Sequence, residues 1–265
     1  MTGSVDLVTQ ERRGESGEHG RQRNGTAHRG RPGAAARREE RADRILQAAG
    51  ELLTALGYRR VSISDVAERA GVGKGTVYLH FPTKEALFLS VLMRAQEQMF
   101  RAELADMRAD PAAIRPGRIA SGVYRLVERD PVARAVIIGD TETLGVLART
   151  AAAEVGELMR LRVETLRAYF GVLDEHGLLR PGSTAEERVF SYAATVTGFL
   201  VSGSFSPFSP PDPASAALLL ERTVRDAFEA PSEPERLQAA APAVIDLFQT
   251  LLDRLVEEIA RQKLS

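Results

Sequence analysis

A short stretch of the chain carries side chains that suit contact with double-stranded DNA. Lys74 and Lys84 stand at its two ends, where their charges can neutralise phosphates. Between them, the side chains that a helix would expose can hydrogen-bond to base edges or pack on a thymine methyl group. These residues are Gly75, Thr76, Tyr78, Leu79 and His80. Ser62 and Ser64 begin a preceding helix, and we expect them to add backbone contacts.

The elements that position these residues are predicted to be a short helix, a glycine turn and a second helix, the order of a helix-turn-helix. Ser62 and Asp65 predict a capping box at the start of the first helix, and Gly71 predicts its end. The second helix is expected to end at His80, because Pro82 follows. Both helices therefore have local stop and start signals.

Two longer helices flank this unit in the prediction. From Arg41 onward, apolar residues recur at the spacing of one helix face, and Gly57 follows as a cap. This face comprises Ile45, Ala48, Ala49, Leu52, Leu53 and Leu56. Thr83 is expected to cap a fourth, long helix that runs to about Arg108. The first helix would hold the helix-turn-helix, and the fourth would connect it to the rest of the chain.

The remainder of the chain is predicted to be helical. Helices are expected near 115–129, 132–148, 151–176, 184–203, 213–229 and 237–262. Proline and glycine separate most of them, and no segment shows sustained alternation of strand-favouring residues. The predicted fold class is all-α, with an N-terminal three-helix DNA-binding domain followed by a helical-bundle domain for ligand binding and dimerisation.

Residues 1–38 are rich in glycine, arginine, glutamate, serine and alanine, and we expect them to be disordered. From His19 to Arg38 there are six arginines and no acid. Two interpretations stay open: a solvated tail, or a basic arm that touches phosphates or enters the minor groove. The predicted domains are thus this basic arm at 1–38, the helix-turn-helix domain at 39–86 and the helical domain at 87–265.

Composition narrows the class of protein. The chain has 265 residues, of which 44% are hydrophobic, and a formal net charge of -1, so any positive charge for DNA must be local. It has no cysteine, which excludes disulfides and zinc fingers. No apolar run reaches the roughly 18–20 residues that span a bilayer, and no signal peptide is evident. We expect a cytoplasmic protein without membrane association.

Enzyme chemistry finds little support in the sequence. The segment from Gly71 to Thr76 looks phosphate-binding, but Glu68 and Gly75 occupy the positions where a P-loop needs glycine and Ser or Thr. His176 lacks further ligands at metal-binding spacing, and no Gly-x-Ser-x-Gly elbow occurs. The sequence therefore predicts no catalytic residues, no metal and no cofactor.

The run from Ile45 to Leu89 resembles the DNA-binding domain of TetR-type (tetracycline-repressor-like) transcriptional regulators. The resemblance lies in ILQAAGELLTALGY (45–58), SISDVAERAGVGKGTVYLHF (62–81) and TKEALF (83–88). It implies that Lys74, Gly75, Thr76, Tyr78, His80 and Lys84 lie where the family contacts DNA. Leu79 departs from the family, which often has an aromatic or polar residue there. The chain is also longer than usual for the family before residue 40 and between 204 and 235.

The resemblance further implies a small-molecule site in the helical domain, for an apolar or amphipathic effector. Candidate lining residues are Phe100, Tyr124, Tyr169, Phe170, Tyr192 and Phe199. Each of them is also a normal core residue, and that alternative stays open.

A homodimer is implied as well, through the helices at 184–203 and 237–262. The first carries an apolar stripe (Val189, Ala193, Val196, Leu200) and small residues (Ala194, Gly198, Ser202). The second carries the stripe Val244, Phe248, Leu251, Leu252, Leu255 and Ile259, and both stripes also fit an intramolecular core. The expected function is a dimeric repressor that binds a pseudo-palindromic operator and is released by a ligand. The alternatives are a constitutive DNA-binding protein whose helical domain binds a protein partner and, less favoured, an enzyme with a fused helix-turn-helix.

Overall fold

The computed structural model describes residues 33–138, 152–202 and 212–264. These ranges contain ten α-helices and no extended strand. The helices are α1 (Ala34–Leu56), α2 (Ile63–Ala70), α3 (Lys74–His80), α4 (Lys84–Ala109), α5 (Pro116–Arg129), α6 (Pro131–Ile138), α7 (Ala152–Glu175), α8 (Ala185–Ser202), α9 (Pro213–Phe228) and α10 (Pro234–Leu264). A 3₁₀ turn, Pro111–Ile114, joins α4 to α5. The prediction of an all-α fold is confirmed.

Local capping determines where the short helices begin and end. The Ser62 hydroxyl accepts a hydrogen bond from the Asp65 backbone N–H, and the Asp65 carboxylate accepts one from the Ser62 backbone N–H at 2.8 Å. Gly71 ends α2 in the left-handed conformation, with φ of 66°. The Thr83 hydroxyl caps α4 by accepting a hydrogen bond from the Ala86 backbone N–H at 3.0 Å. The predicted caps are all present.

The first helix begins earlier than predicted. Helix α1 starts at Ala34 rather than near Arg41, because alanine, arginine and glutamate are strong helix formers and extend the apolar segment backwards. Arg37 and Arg38 are therefore helical, and the prediction of disorder is wrong for residues 34–38. The predicted disorder of residues 1–32 lies outside the described residues.

The helical body is built on α4. Helix α10 packs along α4 and also touches α7 and the 3₁₀ turn, while α5 pairs closely with α9. The ring centroid of Phe248 on α10 lies 6.1 Å from that of Phe100 and 5.8 Å from that of Tyr169. A helix was predicted at 132–148. Its part after Ile138 lies outside the described residues.

The last helix corrects two expectations. It begins at Pro234 rather than near 237, because proline is well suited to the first turn of a helix. Its apolar stripe, predicted for the dimer interface, is buried inside the chain against α4 and α7. Across the described ranges, no helix is long and apolar enough to span a membrane.

Candidate nucleic-acid interface

Helix α3 presents a row of side chains to solvent. Leu79 is 75% exposed and Tyr78 is 44% exposed, while Lys74 and Gly75 are exposed and Thr76 is half-buried. The opposite face is anchored by Val77, which is completely buried, and by Phe81 directly after the helix. A Cβ atom at Gly75 would meet nothing within 4 Å, so that position leaves open space beside the helix. Five of the predicted DNA-contacting residues thus lie together on one surface.

His80 was predicted to be exposed beside Lys74 and Thr76, and this is wrong. It is only 7% exposed, because it lies three residues after Val77 and so on the buried face of α3. Burial lowers the pKa of the imidazole, and the nearby charges of Arg38, Arg41 and Lys263 lower it further. The predicted DNA contact of His80 has no support from this position.

Lys84 is half-buried and already has intramolecular partners. Its Nζ donates a hydrogen bond to the backbone oxygen of Tyr58 at 2.7 Å and lies 4.2 Å from the centroid of the Tyr58 ring. The Tyr58 hydroxyl donates to Glu85 Oε1 at 2.8 Å. Burial lowers the pKa of Lys84. This lysine therefore ties the start of α4 to the segment after α1, and its phosphate contact stays a prediction.

Ser62 and Ser64 are both exposed at the start of α2. The Ser62 hydroxyl is engaged with Asp65, since it donates to Asp65 Oδ2 at 2.8 Å as well as accepting from the Asp65 backbone. The Ser62 backbone N–H, and then its hydroxyl, donate to the Asp65 carboxylate and lower its pKa. Ser62 thus has a capping role, and the contacts of both serines with DNA stay predictions.

The predicted ligand-lining residues form part of the packed core. Phe100, Tyr124, Tyr169, Phe170 and Tyr192 are buried, and Phe199 is half-buried. Tyr169 donates a hydrogen bond from its hydroxyl to the Ile114 carbonyl oxygen at 2.7 Å, and its ring centroid is 5.1 Å from that of Phe170. The ring of Phe170 in turn lies 5.4 Å from that of Tyr192. In this conformation these residues pack as normal core residues, which is the alternative that the sequence left open.

A buried acid in the same region was missed by sequence reasoning. Glu103 is 7% exposed, on the face of α4 that also carries Phe100 and Met107. Ser121 of α5 is also buried, and its hydroxyl has no hydrogen-bond partner in the described part of the chain. The sequence did contain a signal for this burial. Glu103 follows Phe100 by three residues and precedes Met107 by four, a spacing that puts it on the same apolar helix face.

The DNA-binding unit and the body meet along a groove with a volume of about 780 Å³, lined by α1, α4, His80 and the end of α10. Two ion pairs cross it. Arg94 of α4 contacts Asp43 of α1 at 2.5 Å, and Lys263 of α10 contacts Glu39 of α1 at 3.1 Å. These ion pairs connect α1 of the DNA-binding unit to α4 and α10.

One outward face of α8 is apolar. Phe190 is 75% exposed, and the same face carries the small residues Ala193, Ala194 and Gly198. The stripe residues Val196 and Leu200, predicted for the dimer interface, instead point into the body and are buried. Of the predicted apolar stripe, Ala193 therefore lies on the outward face with the small residues Ala194 and Gly198, Val189 is half-buried, and Val196 and Leu200 are inside.

A three-helix unit with an exposed reading helix, attached to a helical body, defines a helix-turn-helix DNA-binding protein. Residues 45–91 match the family model described as "Bacterial regulatory proteins, tetR family". This match identifies residues 45–91 as a DNA-binding domain of the kind found in tetR-family regulatory proteins.

The relatives resemble this chain mainly in its N-terminal part. The HTH-type transcriptional regulator EthR of Mycolicibacterium smegmatis is 37% identical over 93 residues, which cover 34% of this chain and 43% of EthR. The HTH-type transcriptional repressor KstR of Rhodococcus jostii is 34% identical over 128 residues, covering 46% of this chain and 56% of KstR. This chain thus spans about half the length of these curated relatives.

A solved structure extends the similarity of fold into the helical body. The transcriptional regulator FadR from Bacillus subtilis, in complex with stearoyl-CoA, superposes with a TM-score of 0.56 at 17% sequence identity. The match covers 69% of this chain and 96% of FadR. At this identity the likeness describes the fold alone.

Proposed function

We propose that the protein is a ligand-responsive transcriptional repressor that binds a pseudo-palindromic operator as a homodimer. The proposal rests on the exposed side chains of α3. The helix is held in place by its buried face and by the capped helix α2 that precedes it. A reading helix needs side chains free to enter the major groove and a rigid support behind them. Helix α3 meets both conditions.

The contacts proposed for α3 divide into two kinds. Lys74 would neutralise a phosphate, together with Ser62 and Ser64 at the start of α2. Thr76, Tyr78 and Leu79 would face base edges, with Gly75 allowing close approach of the backbone. An apolar side chain as exposed as Leu79 suits a thymine methyl group, which is the apolar feature of the major groove.

A homodimer follows from the small size of one reading helix. Two copies about 34–36 Å apart read two half-sites on the same side of the duplex, which multiplies specificity. The outward face of α8 is the proposed dimer interface, because Phe190 can act as an apolar anchor and the small residues beside it let a second helix approach closely. This replaces the buried stripes as the contact surface.

The effector is proposed to be a small apolar or amphipathic molecule bound in the body. The solved FadR complex with stearoyl-CoA supports this, and the name of KstR, a transcriptional repressor, supports the repressor role. Ligand binding would favour a conformer whose α3 helices misfit the operator, and linkage would weaken DNA binding by the same factor. The ion pairs between α1 and both α4 and α10 supply a physical route for this coupling.

DNA binding is tested with labelled fragments from upstream of the gene and its neighbours. We expect a saturable, salt-sensitive complex with one of them. Thr76→Ala should lower the ratio of specific to random affinity about tenfold, whereas Lys74→Ala should weaken both and reduce the salt slope by about one. Arg222→Ala on α9 is the control, since it removes an exposed charge far from α3. Binding to every fragment no tighter than to random DNA would contradict the proposal.

The dimer interface is tested by Phe190→Glu. A buried, unpaired carboxylate at the centre of an apolar interface is strongly unfavourable, so we expect a monomer and at least about a tenfold loss of operator affinity. Leu218→Glu is the matched control, because Leu218 is a 61% exposed apolar residue on α9. Analytical ultracentrifugation gives the oligomeric state. A dimer that survives Phe190→Glu but not Leu218→Glu would show that the interface is elsewhere.

The closed aromatic core favours a second candidate: a constitutive DNA-binding protein whose helical domain binds a protein partner. The two candidates differ in their response to small molecules. Only a protein with a ligand site should gain thermal stability from small apolar or amphipathic compounds. A screen in which none raises the melting temperature, with operator binding intact, would favour the second candidate.

A further inference from the structure

The buried carboxyl group of Glu103 is unusual in its surroundings. It lies directly over α5, where its Oε1 would be only 2.5 Å from a Cβ atom at Gly122. A glycine at that position therefore makes the room that the carboxyl group occupies. No described residue donates a hydrogen bond to it, and the charges that affect its pKa are those of Asp106 on α4, which raises it, and Arg125 on α5, which lowers it.

Three hydroxyl groups share this region of the body. Ser121 precedes Gly122 on α5, and its buried hydroxyl has no partner among the described residues. The Tyr192 hydroxyl on α8 has only a long hydrogen bond, 3.4 Å, to the Pro116 carbonyl oxygen. Burial raises the pKa of Tyr192, and Glu103 and Glu229 raise it further. Burial also raises the pKa of Tyr169 on α7, followed by Tyr192, Glu229 and Glu103. Four helices thus direct polar groups to one interior region.

The Ser121 hydroxyl, which lacks a partner among the described residues, and the buried Glu103 carboxyl group are both costly to the fold. Buried polar atoms in folded proteins almost always have hydrogen-bond partners, and an unpaired buried carboxyl is among the most unfavourable. A core that needed only stability would place apolar residues at positions 103 and 121. The two polar side chains are explained if a bound molecule supplies the hydrogen-bond partner that they lack.

We propose that Glu103 and Ser121 form the polar end of an effector site between α4, α5, α7 and α8, and that this site takes a small organic cation, a protonated amine on an apolar body. This inference rests on the proposed function, since it names the chemical class of its effector. The ammonium group would pair with the Glu103 carboxylate and donate to the Ser121 hydroxyl. The apolar part would displace core contacts among the neighbouring aromatic residues.

A cation fits this site better than an anion or a neutral alcohol. An anion beside Glu103 would keep its carboxyl group protonated and form no ion pair with it, and Asp106 would repel the anion. The aromatic side chains of Tyr169 and Tyr192 can face a cation favourably. An alcohol could exchange hydrogen bonds with the neutral carboxyl group but would not gain the ion pair that an ammonium group forms with the carboxylate.

Binding would be linked to one proton. Burial, with a smaller contribution from Asp106, raises the pKa of Glu103 to about 8, so the carboxyl is mostly protonated at pH 7 in the empty protein. An ammonium group placed beside it favours the carboxylate, and the proton then leaves to the buffer. The product is a paired ammonium and carboxylate.

The test is a thermal-shift series at pH 7 with primary alkylamines of four to ten carbons and the alcohols and carboxylates of matched chain length. We expect at least one amine to raise the melting temperature by about 3 °C or more, and the matched alcohol and carboxylate to do much less. Glu103→Gln should lose this shift. Glu97→Gln, which changes an acid on the same helix outside the site, should keep it.

Calorimetry provides a second measurement that does not depend on a variant. Titrating wild-type protein with the strongest amine in two buffers of different ionisation enthalpy should show the release of about one proton per site at pH 7. No stabilisation by any amine, equal stabilisation by the alcohol, or an unchanged shift in Glu103→Gln would overturn the inference. Operator binding by the same preparations separates this failure from failure of the proposed function, because DNA binding without an amine response refutes only the cation site.

Discussion

Replacing Glu103 with glutamine should remove most of a stability loss that the wild-type protein suffers as the pH rises from 5 to 8. The glutamine side chain has nearly the same shape and cannot ionise. Burial, then Asp106, raises the pKa of Glu103 from its ordinary value of 4.5 to about 8, with Arg125 opposing the shift. Ionisation of this carboxyl is therefore far less favourable in the folded chain than in the unfolded chain.

The sign follows from proton binding. Between pH 4.5 and about 8 the unfolded chain has lost the Glu103 proton and the folded chain still holds it. The folded state thus binds more protons, and its free energy of unfolding falls as the pH rises. Over pH 5 to 8 this amounts to about 3–4 kcal/mol, since each pKa unit corresponds to about 1.4 kcal/mol.

Urea denaturation of both proteins at pH 5, 6.5 and 8 measures this effect. The advantage of Glu103→Gln over wild type should grow steadily with pH, because every other titrating group is common to both. Glu97→Gln is the control, since Glu97 is paired with Arg101 at the surface and should show no such trend. A constant difference between Glu103→Gln and wild type across the three pH values would mean that Glu103 is not held neutral by burial.

Gly117→Ala should destabilise the protein by about 2–4 kcal/mol, although alanine is the better helix former. A Cβ atom at this position would lie 2.7 Å from the backbone oxygen of Glu221 and 3.1 Å from Glu229 Oε1. The first neighbour is backbone of α9 and cannot rotate away. Helices α5 and α9 would have to move apart along their close contact.

The same substitution also disturbs a buried ionic connection. The Glu229 carboxylate accepts hydrogen bonds from the Gly117 backbone N–H at 2.8 Å and from Arg115 at 3.2 Å. Moving α5 would lengthen both bonds and leave the buried carboxylate poorly paired, which adds to the cost.

Gly156→Ala is the matched control for Gly117→Ala. Gly156 also lies within a helix, α7, but a Cβ atom there would meet nothing within 4 Å. This variant should be as stable as wild type or more stable by up to about 1 kcal/mol, the helix-propensity gain. Chemical denaturation of both variants checks the pair. A similar effect of the two substitutions would contradict the steric argument at Gly117.

Features that depend on neighbouring residues in the chain could be predicted from the sequence. The capping box of Ser62 and Asp65, the glycine end of α2 and the Thr83 cap were all predicted, because a cap is formed by residues three positions apart. The end of α3 at His80 was also predicted, because Pro82 follows it closely in the chain. The exposed row on this helix could then be listed almost completely.

Features that depend on distant contacts could not be predicted in this way. His80 lies at the end of the reading helix but is covered by the body, and Lys84 is held by Tyr58, whose backbone oxygen is 26 residues away in the chain. The stripe of α10 is apolar whether it faces a second subunit or α4, so its pattern cannot tell the two apart. Only the packing decides which of these faces is inside.

The sequence alone thus determined the fold class, the helix-turn-helix and the short α3 row that we propose reads DNA, since helical periodicity and capping act over a few residues. The tertiary structure decided which predicted contacts remain available, which helix face is left for a partner, and that a carboxyl group is buried at Glu103. These outcomes depend on which helices meet. Burial, and the pKa shifts that follow from it, arise from residues that are far apart in the chain.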